Sequence, residues 1–162
     1  MNVNDLTPTE IAIVSMLRAS DADGKEYSSI PGRIHLVKEL FAFSSTSLGR
    51  VLLEELRFEP DNFGPYDETI IAALDELHDA GFIEYEPHRD YSKIGLTKDG
   101  RRLADNVWAR LRDEVRRLIV YTKMNYNDLT SEQVLDQIYS LYPQMARYSL
   151  SKVAKKYRRP EL

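Results

Sequence analysis

The chain of 162 residues contains no cysteine. That absence excludes disulfides and thiol catalysis, and it fits a reducing, cytoplasmic setting. No apolar run approaches the roughly 18 residues expected of a membrane span, so no membrane partner is expected. The opening residues, MNVNDLTPTE, lack a basic region followed by an apolar stretch, and no secretory leader is expected either. A glycine-rich phosphate loop, a GxSxG turn and an HExxH pair are all missing. There is no internal repeat and no low-complexity segment. The three histidines, His35, His78 and His88, show none of the close spacings of zinc ligands. Together these gaps lead to the expectation of no metal, no cofactor and no catalytic residue.

What is present is an ordinary globular balance, 43% hydrophobic and 30% charged residues. The length suits one domain with appended helices. The net charge of −4 hides a division. Residues 1–92 carry 7 basic against 18 acidic side chains, a balance of −11. Residues 93–162 carry 15 against 8, a balance of +7. The second half should attract phosphates and the first should repel them.

Hydrophobic spacing gives the organisation. Thr7 and Glu10 form a capping box ahead of a helix with Ile11, Val14 and Leu17 on one stripe. A polar loop follows. Pro31 opens a second helix, in which Ile34, Val37, Leu40 and Phe41 share a face. A short helix with Leu48, Val51, Leu52 and Leu56 comes next. Residues 57–63 are ambiguous and could form an edge strand, where Pro60 is tolerated. Gly64 and Pro65 then end whatever precedes them. Asp67 caps a third helix, with Tyr66 stapled onto Ile71. Ile70, Ala73, Leu74 and Leu77 supply its buried stripe, and Gly81 ends it as a left-handed cap.

Residues 82–86 and 91–96 read as the two strands of a hairpin with PHRD as the turn. Thr97 begins a long helix. Unbroken to about Lys123, it would measure roughly 37 Å at 1.5 Å per residue. Ala104, Trp108 and Val120 lie off its main stripe, which suggests a second apolar side and a homodimer. Thr130 and Gln133 box a further helix ending at Pro143, and SLSKVAKKYRRPEL suggests a last short helix. The expected fold is mainly α: a winged helix-turn-helix with a small two- or three-stranded antiparallel sheet and additional C-terminal helices. Residues 1–97 would be the winged-helix core and 98–162 the helical extension packed on or beside it.

The segments GRIHLVKELFAF, NFGPYDETIIAALDELHDAGFIE and YSKIGLTKDG, in that order, resemble the YwgA-like winged-helix proteins. In that family a GR followed by a KxLF-like helix precedes a YGPYS turn, a helix and GF or GLI. More distantly these segments are similar to the Panacea domain of SocA-type antitoxins. The resemblance covers roughly residues 31–100. It implies a winged helix and, in the antitoxin branch, neutralisation of a toxin by direct binding. It implies no catalytic residue. The chain departs from the pattern at Asp67, where Ser is usual, and at Pro60.

A winged helix usually sets a basic helix in the major groove of DNA. Here that helix carries Asp67, Glu68, Asp75, Glu76 and Asp79, and no Lys or Arg. The acidic helix is therefore expected to meet a protein partner with a basic surface. Gly64, Pro65, Tyr66 and Asp67 form the candidate structural turn. The alternative is a DNA-binding regulator that grips phosphates through its basic half. Its contact set would be Arg89 and Lys93 at the wing with Lys152, Lys155, Lys156, Arg158 and Arg159 at the terminus. The sequence points to regulation by binding, antitoxin-like or adaptor-like, without catalysis.

Overall fold

Thr7 opens the first helix because its hydroxyl accepts the Glu10 N–H while the Glu10 carboxylate accepts the Thr7 N–H. A computed structural model describes residues 2–158 and places this helix, α1, at Pro8–Arg18. Ala12, Ile13, Val14, Met16 and Leu17 are all buried, so α1 is enclosed on several sides. The chain then loops to Ile30, which makes an antiparallel bridge to Ile94 through two hydrogen bonds of 2.9 Å.

Helix α2 spans Arg33–Ser44 and has Gly32, not Pro31, at its N-cap. Gly32 sits at φ 104°, a backbone shape that glycine adopts without strain, and it turns the chain off the bridge into the helix. Ile34 does not join the buried face, being 43% exposed. Instead Leu36, Val37, Leu40, Phe41 and Phe43 are buried, together with His35, Lys38 and Glu39. Helix α3 is one short element, Ser47–Leu52, and its expected stripe residue Val51 faces solvent.

The ambiguous segment resolves as a small hairpin. Strand β1, Glu59–Asp61, pairs antiparallel with β2, Gly64–Tyr66, and Pro60 lies opposite Pro65. Gly64, Pro65 and Tyr66 are thus a strand and not a turn; the turn is Asn62 and Phe63. Gly64 is at φ 91°, and a Cβ there would meet Leu135 at 3.0 Å and Lys38 at 3.2 Å. Two reasons therefore favour glycine, conformation and close packing.

Helix α4, Glu68–Asp79, follows from Asp67 and buries Ile70, Ala73, Leu74 and Leu77. Gly81, at φ 86°, ends it. The wing consists of β3, Ile83–His88, and β4, Tyr91–Leu96, joined by Arg89 and Asp90 alone. The strand runs further than expected because Pro87 stands opposite Ser92 at a position where its missing N–H costs no ladder bond.

The expected long helix is two helices. α5 is Lys98–Arg110 and α6 is Asp113–Tyr126. Leu111 (φ −74°, ψ 145°) and Arg112 (φ −66°, ψ 150°) are extended between them. Asp113 and Glu114 then suit the positive N-terminal end of α6. The bend folds Val115 and Ile119 back into the core. It also removes the projecting rod on which a dimer was expected. Ala104 is fully buried, and Trp108 and Val120 pack partly buried against the same core.

Thr130 and Gln133 form the anticipated capping box for α7, Ser131–Leu141. The terminus makes 3-10 turns, Pro143–Ala146 and Lys152–Lys156, instead of a last α-helix. Among the described residues the protein is mainly α, with two two-stranded antiparallel sheets, consistent with a winged helix extended by C-terminal helices. The main apolar core runs from Leu6 to Ile119, across the boundary expected at residue 97. A second cluster joins Phe41 of α2 to Val134, Leu135, Ile138 and Tyr139 of α7 and to Ala146 and Ala154.

Candidate functional site

Helix α4 exposes its acidic residues because its apolar ones already fill the inward stripe. Glu68, Asp75, Glu76 and Asp79 all face solvent. Asp67 does not belong with them. One of its oxygens accepts the Thr69 N–H at 2.8 Å as the helix cap, and the other accepts the Arg57 N–H at 2.6 Å. Asp67 is thus a structural clasp between the start of α4 and the chain before β1. Asp75 pairs with Arg33 at 3.2 Å, with both side chains about half exposed. Such a pair contributes at most about 1 kcal/mol and leaves both groups free to exchange partners. His78 stacks near Tyr85 of the wing, with ring centroids 4.8 Å apart.

The GPYD segment does more than cap a helix. The Pro65 carbonyl accepts a 2.8 Å hydrogen bond from the buried Lys38 ammonium, which ties β2 to α2. Tyr66 is half-buried and lines a cavity of about 240 Å³ together with Ile71 and Lys38.

The basic residues of the wing and terminus are dispersed. Arg89, at φ 51°, occupies the exposed wing loop, and Lys93 lies partly buried on β4. Lys152 and Lys155 are exposed. Lys156 is held at 2.8 Å by Asp136, which keeps the ammonium above its ordinary pKa and the carboxylate below its own. Arg158 donates to the Ser149 carbonyl at 2.7 Å. Arg159 lies outside the described residues. On α5, α6 and the break between them, Arg102, Arg112, Arg116 and Arg117 each have a carboxylate within 4 Å at Asp99, Glu114 or Asp113. These four arginines are therefore locally paired, although residues 93–162 keep their net balance of +7.

The polar side chains that sequence reasoning missed are buried around α2: His35 and Glu39 towards α6, Lys123 on α6 itself, and Lys38 towards β2. Lys123 is fully buried, and its ammonium donates to the carbonyls of Leu17, Ala19 and Ser28 at 3.0, 2.8 and 2.7 Å. Two of these carbonyls belong to the C-terminal end of α1, where a cation satisfies unpaired acceptors and complements the helix dipole. Burial lowers the Lys123 pKa to about 8 against the attraction of Glu39, Asp21 and Asp128. Burial also lowers Lys38 to about 7, partly offset by Asp61. The Glu39 carboxyl is pushed well above its usual value by burial, although Lys123 pulls the other way. His35 donates through Nε2 to the Tyr126 carbonyl at 2.7 Å, and burial lowers its pKa despite that bond. Asn127 donates to the Ser29 carbonyl at 3.0 Å. Lys123 and Asn127 pin the loop after α1, and His35 holds α6 against α2.

A sequence signal for this layer existed. In HLVKELFAF the apolar residues fall on every side of the helix, the mark of a helix buried all round. Which of the charged residues between them turn inward then depends on the elements that cover the helix.

Among the described residues no group of three or more His, Asp or Glu is placed to hold a metal ion. No described helix is long and apolar enough to cross a membrane. In comparisons with known proteins, no family model and no curated protein matches the chain.

Proposed function

We propose that the chain is a non-enzymatic regulatory winged helix that acts by binding a protein. The single observation behind this reading is the solvent face of α4. Where a DNA-reading winged helix carries cations, this helix presents Glu68, Asp75, Glu76 and Asp79. Four exposed carboxylates repel phosphates and favour a basic protein surface. If the resemblance to the antitoxin branch extends to activity, the partner is a toxin. A homodimer belongs to the same proposal. Tyr121 and Met124 leave an exposed apolar spot on α6, and light scattering at rising concentration tests it.

The test is a pull-down from native lysate with the wild-type chain beside a Glu76→Ser, Asp79→Ser variant. A basic protein retained by the first and lost by the second supports the reading. Equal recovery from both rejects it.

The alternative is phosphate gripping by the basic terminus, favoured by the free exposure of Lys152 and Lys155. Binding to mixed-sequence DNA would then fall steeply with salt and lose slope when residues 152–162 are removed. Salt-insensitive or absent DNA binding rejects this alternative.

A further inference from the structure

Between the wing and the start of α2 lies a second feature of a different kind, an open groove of about 770 Å³. Its formation follows from three residues. Ile30 bridges Ile94, so the outward edge of β4 is Ile94 and, two residues back, Ser92. The next partner for Ser92 would be Gly32. The Gly32 N–H, however, turns back to the Ile30 carbonyl at 2.8 Å. The chain turns into α2 with Gly32 still beside the hairpin, where a Cβ on it would stand 3.8 Å from the Ser92 carbonyl oxygen. The backbone N–H and C=O of Ser92 are left without a partner among the described residues, on the groove wall.

The groove has apolar side chains where a neighbouring strand's side chains would lie. Ile34 and Tyr91 line it and are 43% and 42% exposed. Tyr85 and Pro87 line it as well. Arg33 and Arg89 border it, against one acid, Asp90. Arg33 lies over the Tyr85 ring at 5.7 Å, and its only ion-pair partner among the described residues is the exposed Asp75. An unpaired strand edge beside an apolar, net basic groove fits strand addition, in which backbone bonds give affinity and side-chain pockets give selectivity.

We propose that this groove binds an extended peptide segment, by pairing with the Ser92 edge of β4, and that the segment carries an apolar side chain beside an acidic one. Its backbone would form the narrow two-bond pair with Ser92. Its apolar side chain would lie against Ile34 and Tyr91, and its carboxylate would meet Arg33 or Arg89. The inference builds on the protein-binding reading but uses a different surface from the acidic face of α4, and the two can fail separately.

The test is an amide NMR titration of the ¹⁵N-labelled full chain. The probe is an acetylated, amidated octapeptide alternating Leu or Phe with Glu or Asp; controls are the Lys-substituted peptide and a mixed-sequence DNA duplex. The expected result is shift changes at Ser92, Tyr91 and Ile34 with the acidic peptide, and slower hydrogen exchange at the Ser92 amide. Ser92→Pro removes one outward N–H without touching the bonds to β3, because Pro87 and Ser92 form a non-hydrogen-bonded pair. It should weaken binding about tenfold, equivalent to about 1.4 kcal/mol. Ile34→Ser, at an exposed position, should also weaken it and does not depend on the hairpin tolerating proline. Glu76→Ser with Asp79→Ser should leave it unchanged. The proposal is overturned by no binding of the acidic peptide, by binding indifferent to both groove variants, or by equal response to the Lys peptide or the duplex. A Lys peptide that binds only through Glu76 and Asp79, with no acidic peptide bound at Ser92, would support the acidic-helix reading and overturn this one.

Discussion

Helices α2 and α4 are each 12 residues long and each carries ionisable side chains, yet they dispose of them in opposite ways. α4 packs through one stripe, so Glu68, Asp75, Glu76 and Asp79 stay in water. α2 is packed by α1 and β2 and by α6 and α7, so His35, Lys38 and Glu39 are buried with its apolar residues. A charge at an exposed position costs little and is free to meet a partner. A charge in the interior must find hydrogen bonds or give up its ionised form. Lys38 and Lys123 find carbonyls; for Glu39 burial favours the neutral acid. The difference lies in how many neighbours each helix has, more than in its composition.

That contrast can be broken most severely at α6, the helix that closes the polar side of α2. Lys123→Met should destabilise the protein by about 3–5 kcal/mol, because three buried carbonyls lose their donor. Urea unfolding measures it. A loss below about 1 kcal/mol would mean the Lys123 ammonium contributes little beyond its hydrocarbon stem.

The next test uses pH. The folded-state pKa of Lys38 is lowered to about 7, below the ordinary value of 10.5. Between those values the unfolded chain binds more protons at this site, so this contribution to stability rises with pH from about 7 to 10.5 and is lost as pH falls. The wild type should therefore gain on the order of 1 kcal/mol or more relative to Lys38→Met between pH 7 and 9.5. Parallel urea midpoints for the two proteins across that range would contradict the burial of a charged Lys38.

Smaller again is the clasp at the start of α4. Asp67→Ala should cost about 1 kcal/mol through loss of the cap, with some addition from the Arg57 N–H it leaves unpaired. Asp67→Asn should recover part of it. An unchanged melting temperature for the alanine variant would remove Asp67 from the structural set.

The smallest effect on stability is expected on the α4 surface itself. Replacing Asp75, Glu76 and Asp79 with Ser should change stability by no more than about 0.5–1 kcal/mol, the size of an exposed ion pair with Arg33. A loss comparable to that of Lys123→Met would show that α4 is not a one-sided helix, and the comparison with α2 would collapse.

Local chemistry in the sequence determined the elements that depend only on near neighbours. The caps at Thr7, Asp67, Thr97 and Thr130, the left-handed end at Gly81, the stripe of α4 and the wing are all short-range consequences of side-chain hydrogen bonding and spacing. The acidic residues of α4 were legible for the same reason, apart from Asp67, whose second bond reaches back ten residues to Arg57. Only the tertiary structure decided what depends on distant packing. No proline or glycine marks the break at Leu111 and Arg112; it lets Val115 and Ile119 return to the core. Helix α2 became enclosed on most sides because α6, α7 and β2 fold over it, which sends His35, Lys38 and Glu39 inside and leaves Ile34 out. The Ser92 backbone groups, likewise, are left unpaired among the described residues because Gly32, some 60 positions earlier in the chain, gives its N–H to Ile30. Spacing along a chain records which face of one element is apolar; it does not record how many other elements will come to cover it.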